Sequence, residues 1–187
     1  MYVKAQVTSP SMMRDIPDKN VIMINQILDH QQIQHKINRI AYQIYEANVE
    51  EQEIIIAGID GGGLLFAKKI IKVLDQITAA TITLCKVSMD KKNPLESGVK
   101  TSIKESDYEN KSVILVDDVL NSGTTLIYGV NHFLQTPLKQ LKTAVLVNRN
   151  HKKYPVKADY KGISLSTSLH EHVKVDFGAK KYGVYLN

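Results

Sequence analysis

The sequence predicts an α/β domain with a mainly parallel central sheet flanked by helices. Three observations carry this. Short apolar runs alternate with stretches of helical periodicity along most of the chain, two of those runs end in glycine-bearing turns that open a helix, and no linker or internal repeat divides the chain. Alternation of this kind needs crossover connections, which a parallel sheet accommodates. A length of 187 residues suits one such domain.

The elements follow in order. Residues 1–20 mix polar side chains with Pro10 and Pro17 and read as an extended arm. The expected division is therefore an extension over 1–24 and one domain over 25–187. Asp29 and Gln32 have the spacing of a capping box. Ile33, Ile37, Ile40, Ala41 and Ile44 then recur at helical spacing, predicting an amphipathic helix over about 29–48. Residues 53–57 are a short apolar run, read as a buried strand. A second helix is expected over about 63–75, carrying Leu64, Leu65, Ala67, Ile70, Ile71 and Leu74.

Residues 81–87 read as another strand. The polar, lysine-rich stretch 89–111 contains Pro94 and Gly98 and suggests a mobile functional loop or a small hairpin. Residues 112–116 form the strongest strand pattern, followed by a helix over about 123–135 that Pro137 terminates. One more strand is expected at 143–147, with short strand-like runs at 158–160, 173–177 and 183–186.

Composition narrows the setting. Hydrophobic residues make up 43% and charged residues 23%, and no apolar run approaches the roughly 18–20 residues needed to span a bilayer. The first residues do not follow a secretory-signal pattern. Cys85 is the single cysteine, so an internal disulfide is impossible and a reducing, cytoplasmic location is expected. The net charge of +5 allows anionic partners. The arginines are Arg14, Arg39 and Arg149, few for a dedicated reader of nucleic acid, so nucleotide-like metabolites explain the charge about as well as RNA.

Ligands of open α/β sheets collect at the carboxyl ends of the strands. Of the two glycine-bearing turns, Asp117-Asp118-Val119-Leu120-Asn121-Ser122-Gly123-Thr124-Thr125 is the informative one. Ser122, Thr124 and Thr125 supply hydroxyls, Gly123 permits a tight turn, and the helix start behind them favours an anion. The turn lacks the lysine of a P-loop, and neither turn matches GxGxxG. Two carboxylates before an anion cradle would repel a lone phosphate. They suit a ligand that also offers hydroxyls or Mg²⁺, with Asp117 and Asp118 on ribose hydroxyls and the loop on a 5′-phosphate.

Residues 113–125 resemble the phosphoribosyl pyrophosphate motif of type I phosphoribosyltransferases. The likeness extends to the bifunctional pyrimidine-operon regulators with uracil phosphoribosyltransferase activity. Leu28-Asp29 with Arg39-Ile40-Ala41 is similar to their first helix, and Ala57-Gly58-Ile59 with Gly63 to their pyrophosphate loop. Residues 144–152 are similar to their late strand and basic turn, and residues 155–160 and 166–168 to the segment after it. The resemblance spans about 25–177 and implies the type I phosphoribosyltransferase fold. It also implies transfer of ribose 5-phosphate to a nucleobase, most plausibly uracil, with Mg²⁺ as cofactor and a homodimer or larger homo-oligomer.

Carried over residue by residue, the resemblance makes Asp117 and Asp118 the catalytic and metal-associated carboxylates. It gives Val119, Leu120, Asn121, Ser122, Gly123, Thr124 and Thr125 to phosphoribosyl pyrophosphate, with residues 121–125 on the 5′-phosphate, and Asp60, Gly61, Gly62 and Gly63 to the pyrophosphate. Arg149 falls near the base. Arg39, His151, Lys152 and Lys157 fall on positions that contact RNA in that family, which implies a nucleotide-sensing regulator of a pyrimidine operon as the alternative.

Three departures matter. Asp60-Gly61-Gly62-Gly63 replaces a loop that carries a basic residue and a Thr-Arg-Gly run, and Asn148 replaces a frequent aspartate. Residues 85–92 replace an arginine-bearing loop, leaving Lys91 or Lys92 to supply positive charge. His170 and His172 flank Glu171 without a third metal ligand nearby, which suggests an exposed strand. Cys85 reads as a small core residue, and Tyr108 and Tyr154 as loop anchors.

Overall fold

The computed structural model describes residues 25–149, 151–166, 171–178 and 181–187. The arm expected over residues 1–20, and His170, lie outside them. The chain enters through β1 (Asn25–Leu28), a strand its polar sequence does not announce. Asp29 then caps α1 (His30–Glu46) as a full capping box: its carboxylate accepts from the Gln32 amide at 2.8 Å, and Gln32 Oε1 accepts from the Asp29 amide at 2.9 Å. The five predicted apolar side chains of α1 are buried.

β2 (Glu53–Ile59), α2 (Gly62–Ile77) and β3 (Thr81–Ser88) follow close to the predicted limits. The polar stretch resolves into a one-turn helix, α3 (Pro94–Ser97), and a two-residue strand, β4 (Lys100–Thr101), which folds back antiparallel on β3. The segment thus contains the small hairpin expected of it. β5 (Ser112–Leu120) is longer than its apolar run, and α4 (Thr124–Phe133), β6 (Gln140–Arg149) and β7 (Tyr160–Leu165) complete the layer. β7 begins where a strand was expected to end. Ala158 and Asp159 instead lie in the approach to it, with the Asp159 carboxylate accepting from the Thr143 amide at 2.9 Å.

The main sheet has the order β4-β3-β2-β5-β6-β7, parallel apart from the β4 edge. The last two elements, β8 (Val173–Phe177) and β9 (Tyr182–Leu186), pair with each other and with β1 in a separate antiparallel sheet. Alternation along the central strands divides the core. Ile54, Ile56, Ile114 and Val116 face α1, α2 and the small sheet, while Ile55, Ala57, Val113 and Leu115 face α4 and Tyr108. Both faces being covered explains why these strands read as continuous apolar runs. Cys85 is a buried core residue, and Tyr108 packs edge-on against Phe133 as an anchor for the segment before β5.

Candidate active site at the carboxyl edge of the sheet

β2 and β5 are parallel neighbours at the sheet centre, with Gly58 opposite Val116. Their carboxyl ends therefore deliver both glycine-bearing turns to one place. The packing is tight enough to specify glycine. A Cβ on Gly62 would run into the Asp118 carboxylate, which can swing aside, while one on Gly63 would stand 2.8 Å from the Val116 carbonyl oxygen and 2.9 Å from Asp117 Cα, backbone that cannot.

The first carboxylate, Asp117, is buried at 4% exposure. Its Oδ2 accepts from the Thr125 hydroxyl at 3.0 Å and its Oδ1 from the Asp118 amide at 3.0 Å. Burial pushes its pKa up to about 7, and the neighbouring Asp118 charge adds to the rise, while Lys91 opposes it. Asp118 is half-buried and more open to solvent. β5 stays paired with β6 past both aspartates, so they are held on a strand rather than on a loose loop.

Beyond β5 the chain turns at Gly123, whose φ of 82° is left-handed. No side chain caps α4 from that position. The Ser122 and Thr124 hydroxyls lie 2.9 Å apart, and the Thr124 amide donates to Ser122 Oγ at 3.3 Å. The amide of Lys153 donates to the Ser122 carbonyl at 2.8 Å, tying the segment after β6 over the turn. Together Lys91, Asp117, Asp118, Val119, Asn121 and Ser122 through Thr125 line a hollow of about 220 Å³. A larger cleft of about 350 Å³ runs along α4 beside Tyr128, Leu134 and Tyr154, but it gathers no charged side chain. The chemistry lies in the smaller hollow.

One predicted contact needs correction. The Leu120 side chain, at 2% exposure, belongs to the core between the sheet and α4 and does not line the hollow. Val119, Asn121, Ser122, Gly123, Thr124 and Thr125 do line it. Asp60, Gly61, Gly62 and Gly63 all lie outside the lining, though Gly62 and Gly63 pack against Asp118 and Asp117, which line it.

Sequence reasoning missed Lys86. Its ammonium pairs with Asp60 Oδ2 at 2.9 Å and is the main reason the Asp60 carboxyl sits below its ordinary range, with the Gly61 amide and Lys91 also contributing. The available signal was the one charged residue of β3, in register with Gly58.

Arg149 is buried at 3% exposure at the carboxyl end of β6. Its neighbour Asn148 stands opposite Leu120 of β5 and donates to Ser164 Oγ at 3.3 Å. Of the residues assigned to RNA, Lys152 and Lys157 are exposed and His151 is half-buried. Arg39 is different. Its guanidinium donates to the carbonyls of Lys161 and Gly162 at 2.7 and 2.8 Å, docking α1 on β7.

Comparison with known proteins agrees with this geometry. Residues 23–181 match the family model described as the phosphoribosyl transferase domain. The bifunctional protein PyrR of Streptococcus pneumoniae (strain CGSP14) is 32% identical over 155 residues, covering 81% of this chain and 88% of the relative. The structure of a hypoxanthine-guanine phosphoribosyltransferase from Bacillus anthracis superposes with a TM-score of 0.65 at 26% identity, covering 78% of this chain and 85% of that one. The hypoxanthine phosphoribosyltransferase of Trypanosoma cruzi shares the fold, with a TM-score of 0.70 at 15% identity over 87% of this chain and 95% of the other. With a matched domain covering most of its length and its twin aspartates set before a hydroxyl-lined turn, this chain belongs to the phosphoribosyl transferase family.

Proposed function

We propose that this chain transfers ribose 5-phosphate from phosphoribosyl pyrophosphate to a nucleobase, with uracil as the base. The observation that carries the reading is the hollow in which two strand-end carboxylates meet the hydroxyls and helix start of residues 122–125. A 5′-phosphate would sit on the turn, where the Ser122, Thr124 and Thr125 hydroxyls and the first amides of α4 donate to its oxygens. Asp118, the more open carboxylate, would accept from the ribose hydroxyls. Asp117, already engaged by Thr125 and the Asp118 amide, would orient Asp118 and share the ribose contact.

The base nitrogen bonds to the anomeric carbon as the bond to pyrophosphate breaks, through a transition state that carries positive charge on the sugar. The chain's contribution is to position the reactants and supply charge. Arg149 would form part of the wall near the base. Uracil is preferred over a purine because the relative with the higher sequence identity is the PyrR protein.

The residues present fit Mg²⁺. A buried carboxyl driven up toward neutrality beside a second carboxylate is a pair that a cation would relieve. Among the described residues no cluster of three or more acidic, histidine or cysteine side chains could hold a metal without help. Mg²⁺ normally completes its shell with water and substrate oxygens, so one or two carboxylates suffice. Asp118, assisted by Asp117 through water, would hold the ion, which when bound neutralises charge developing on the departing pyrophosphate.

The test is incubation of the protein with Mg²⁺, phosphoribosyl pyrophosphate and uracil, hypoxanthine or guanine in turn. Uridine monophosphate is the product expected. A purine nucleotide instead would overturn the choice of base, and no nucleotide with any base would overturn transferase activity. A regulatory reading is supported by the likeness to a protein called bifunctional and by the exposed Lys152 and Lys157. It predicts nucleotide-dependent, salt-sensitive retardation of a pyrimidine-operon leader RNA. Because Arg39 already holds β7, that affinity is expected to rest on the lysines and to discriminate sequence poorly.

A further inference from the structure

The cleft between α1 and α2 gathers positive charge that the packing of those helices does not require. It encloses about 430 Å³, against about 220 Å³ for the hollow at the sheet edge, and shares no lining residue with it. Lys68, Lys69 and Lys72 of α2 line it together with Gln34 and Asn38 of α1 and Tyr182 of β9. Among the described residues no acidic side chain does so. The helices themselves are basic: they carry Lys36, Arg39 and the three lysines against Glu46 and Asp75. Arg39 is already engaged by the β7 carbonyls.

This arrangement works against α2. Lys68 and Lys72 stand four residues apart and Lys69 and Lys72 three apart, spacings at which like charges repel along a helix. None of the three forms an ion pair with a described residue. Lys69 is nevertheless held in place. Its ammonium lies 4.3 Å from the centre of the Tyr182 ring and 5.9 Å from that of Phe177. A ring face orients an ammonium without cancelling its charge, so Lys69 is a fixed cation that still lacks an anion. Tyr182 is fixed in turn, because its amide donates to His30 Nδ1 at 3.2 Å and the two rings pack together. On the α1 side, Gln34 Nε2 donates to Asn38 Oδ1 at 3.0 Å, which leaves the Asn38 amide nitrogen as a further donor. Burial explains Ile70 and Leu74 on the core face of α2, but it does not explain three unpaired lysines beside α1.

We propose that this cleft binds a small linear oligophosphate. Lys68, Lys69 and Lys72 contact the phosphate oxygens, and Asn38 donates a hydrogen bond beside them. Lysine suits phosphate as a point charge, whereas a planar carboxylate would favour the arginine fork. Lys68 and Lys72 are rooted about 6 Å apart along the helix axis, a span that suits several linked phosphates better than one. The inference stands apart from the transferase reading, since the cleft contains none of the residues assigned to that substrate.

Calorimetric titration of the full-length chain with sodium tripolyphosphate, in metal-free buffer, tests it. Without a cation the carboxylate-lined hollow repels the probe. The double variant Lys68→Gln with Lys72→Gln should bind about tenfold more weakly, the loss expected when charge-assisted contacts are removed. Both lysines are exposed and repel each other, so this variant should melt at or above the parent's temperature. Lys152→Gln with Lys157→Gln removes the same charge from a segment that packs on the α4 side of the sheet. At about 0.1 M salt distant charges are screened, and this control should bind within about twofold of the parent.

A parent that binds no tripolyphosphate, or unchanged affinity in the Lys68→Gln, Lys72→Gln protein, overturns the inference. An equal loss in the control also overturns it, because the attraction would then belong to the basic protein as a whole. A short oligouridylate distinguishes the source of the phosphates. If it binds more tightly than tripolyphosphate and loses that advantage in the cleft variant, the cleft serves an RNA backbone and the small-anion assignment falls. Each of these outcomes leaves the transferase reading intact.

Discussion

The two strand-to-helix turns of the central sheet do related work by opposite means. The turn after β5 uses side chains: two carboxylates held on a paired strand, then three hydroxyls at the start of α4. The turn after β2 uses backbone: of its three consecutive glycines, Gly61 takes a φ of 93°, while Gly62 and Gly63 pack so closely against Asp118 and Asp117 that a methyl group would collide. The cations nearest it, Lys86 and Lys91, come from β3 and the segment beyond. A side-chain site is exposed to point substitution, while a backbone site is exposed to anything that adds volume. That difference can be broken at either turn.

The largest effect is expected at the side-chain turn. Asp118→Ala should lower transferase turnover by about 10²–10³-fold, the range seen when one preorganised electrostatic contact is removed. Steady-state assay of nucleotide formation measures it. The same variant removes the charge that helps raise the Asp117 pKa, so Asp117 should ionise at a lower pH in it.

A nearly comparable effect, opposite in sign, is expected on stability. Asp117 has a folded-state pKa of about 7 against an ordinary 3.8. A carboxyl raised in the folded state costs nothing while protonated in both states, below about pH 4. Its burden then grows as pH rises from about 4 to 7, reaching at most about 4 kcal/mol. Asp117→Asn should therefore unfold like the parent near pH 4 and be the more stable protein at pH 8, with denaturant unfolding at both pH values as the measurement. An equal effect at both would show that Asp117 is not held neutral by burial. The stabilised variant should still lose activity, the usual exchange between a strained site and a stable one.

The backbone turn is broken by volume. Gly63→Ala would drive its methyl into the Val116 carbonyl and the Asp117 backbone, neither of which can swing aside, and should cost about 2–3 kcal/mol in thermal or denaturant unfolding. Gly123→Ala should cost less, about 1–2 kcal/mol. There the residue loses its ease at φ 82°, but the colliding atom is a Val156 methyl that can rotate.

The same contrast explains what could be read from the sequence. α1 was legible in full because its capping box and apolar stripe are local patterns. The twin aspartates and hydroxyl-bearing turn were legible because their chemistry is contiguous. Features that depend on a distant partner were hidden. β1 is polar and becomes a strand through pairing with β9 at the other end of the chain. β5 outruns its apolar stretch because β6 continues to pair with Asp117, Val119 and Leu120. Leu120, inside the motif, packs in the core against α4, a contact that the motif itself does not announce. Arg39 has the composition of a nucleic-acid contact, yet its partners are carbonyls of β7 that no helical pattern can reveal. Lys86 was hidden for the same reason.

The smallest expected effect separates position from stability within the backbone turn. The Asp60–Lys86 pair is exposed, with 48% and 45% of the two side chains in contact with solvent. Screened pairs of this kind contribute about 0–1 kcal/mol, because the Coulomb gain is offset by lost side-chain freedom. Lys86→Met should therefore leave the unfolding midpoint almost unchanged, and the residual difference should vanish in high salt. If the pair existed to hold the fold, deletion would shift the midpoint by several degrees. If it orients an ammonium toward an incoming ligand, the midpoint stays put while the Michaelis constant for phosphoribosyl pyrophosphate rises. A flat melting curve beside a displaced Michaelis constant would identify Lys86 as placed for substrate. It would also show that the two turns differ in the source of their charge and share the ligand they serve.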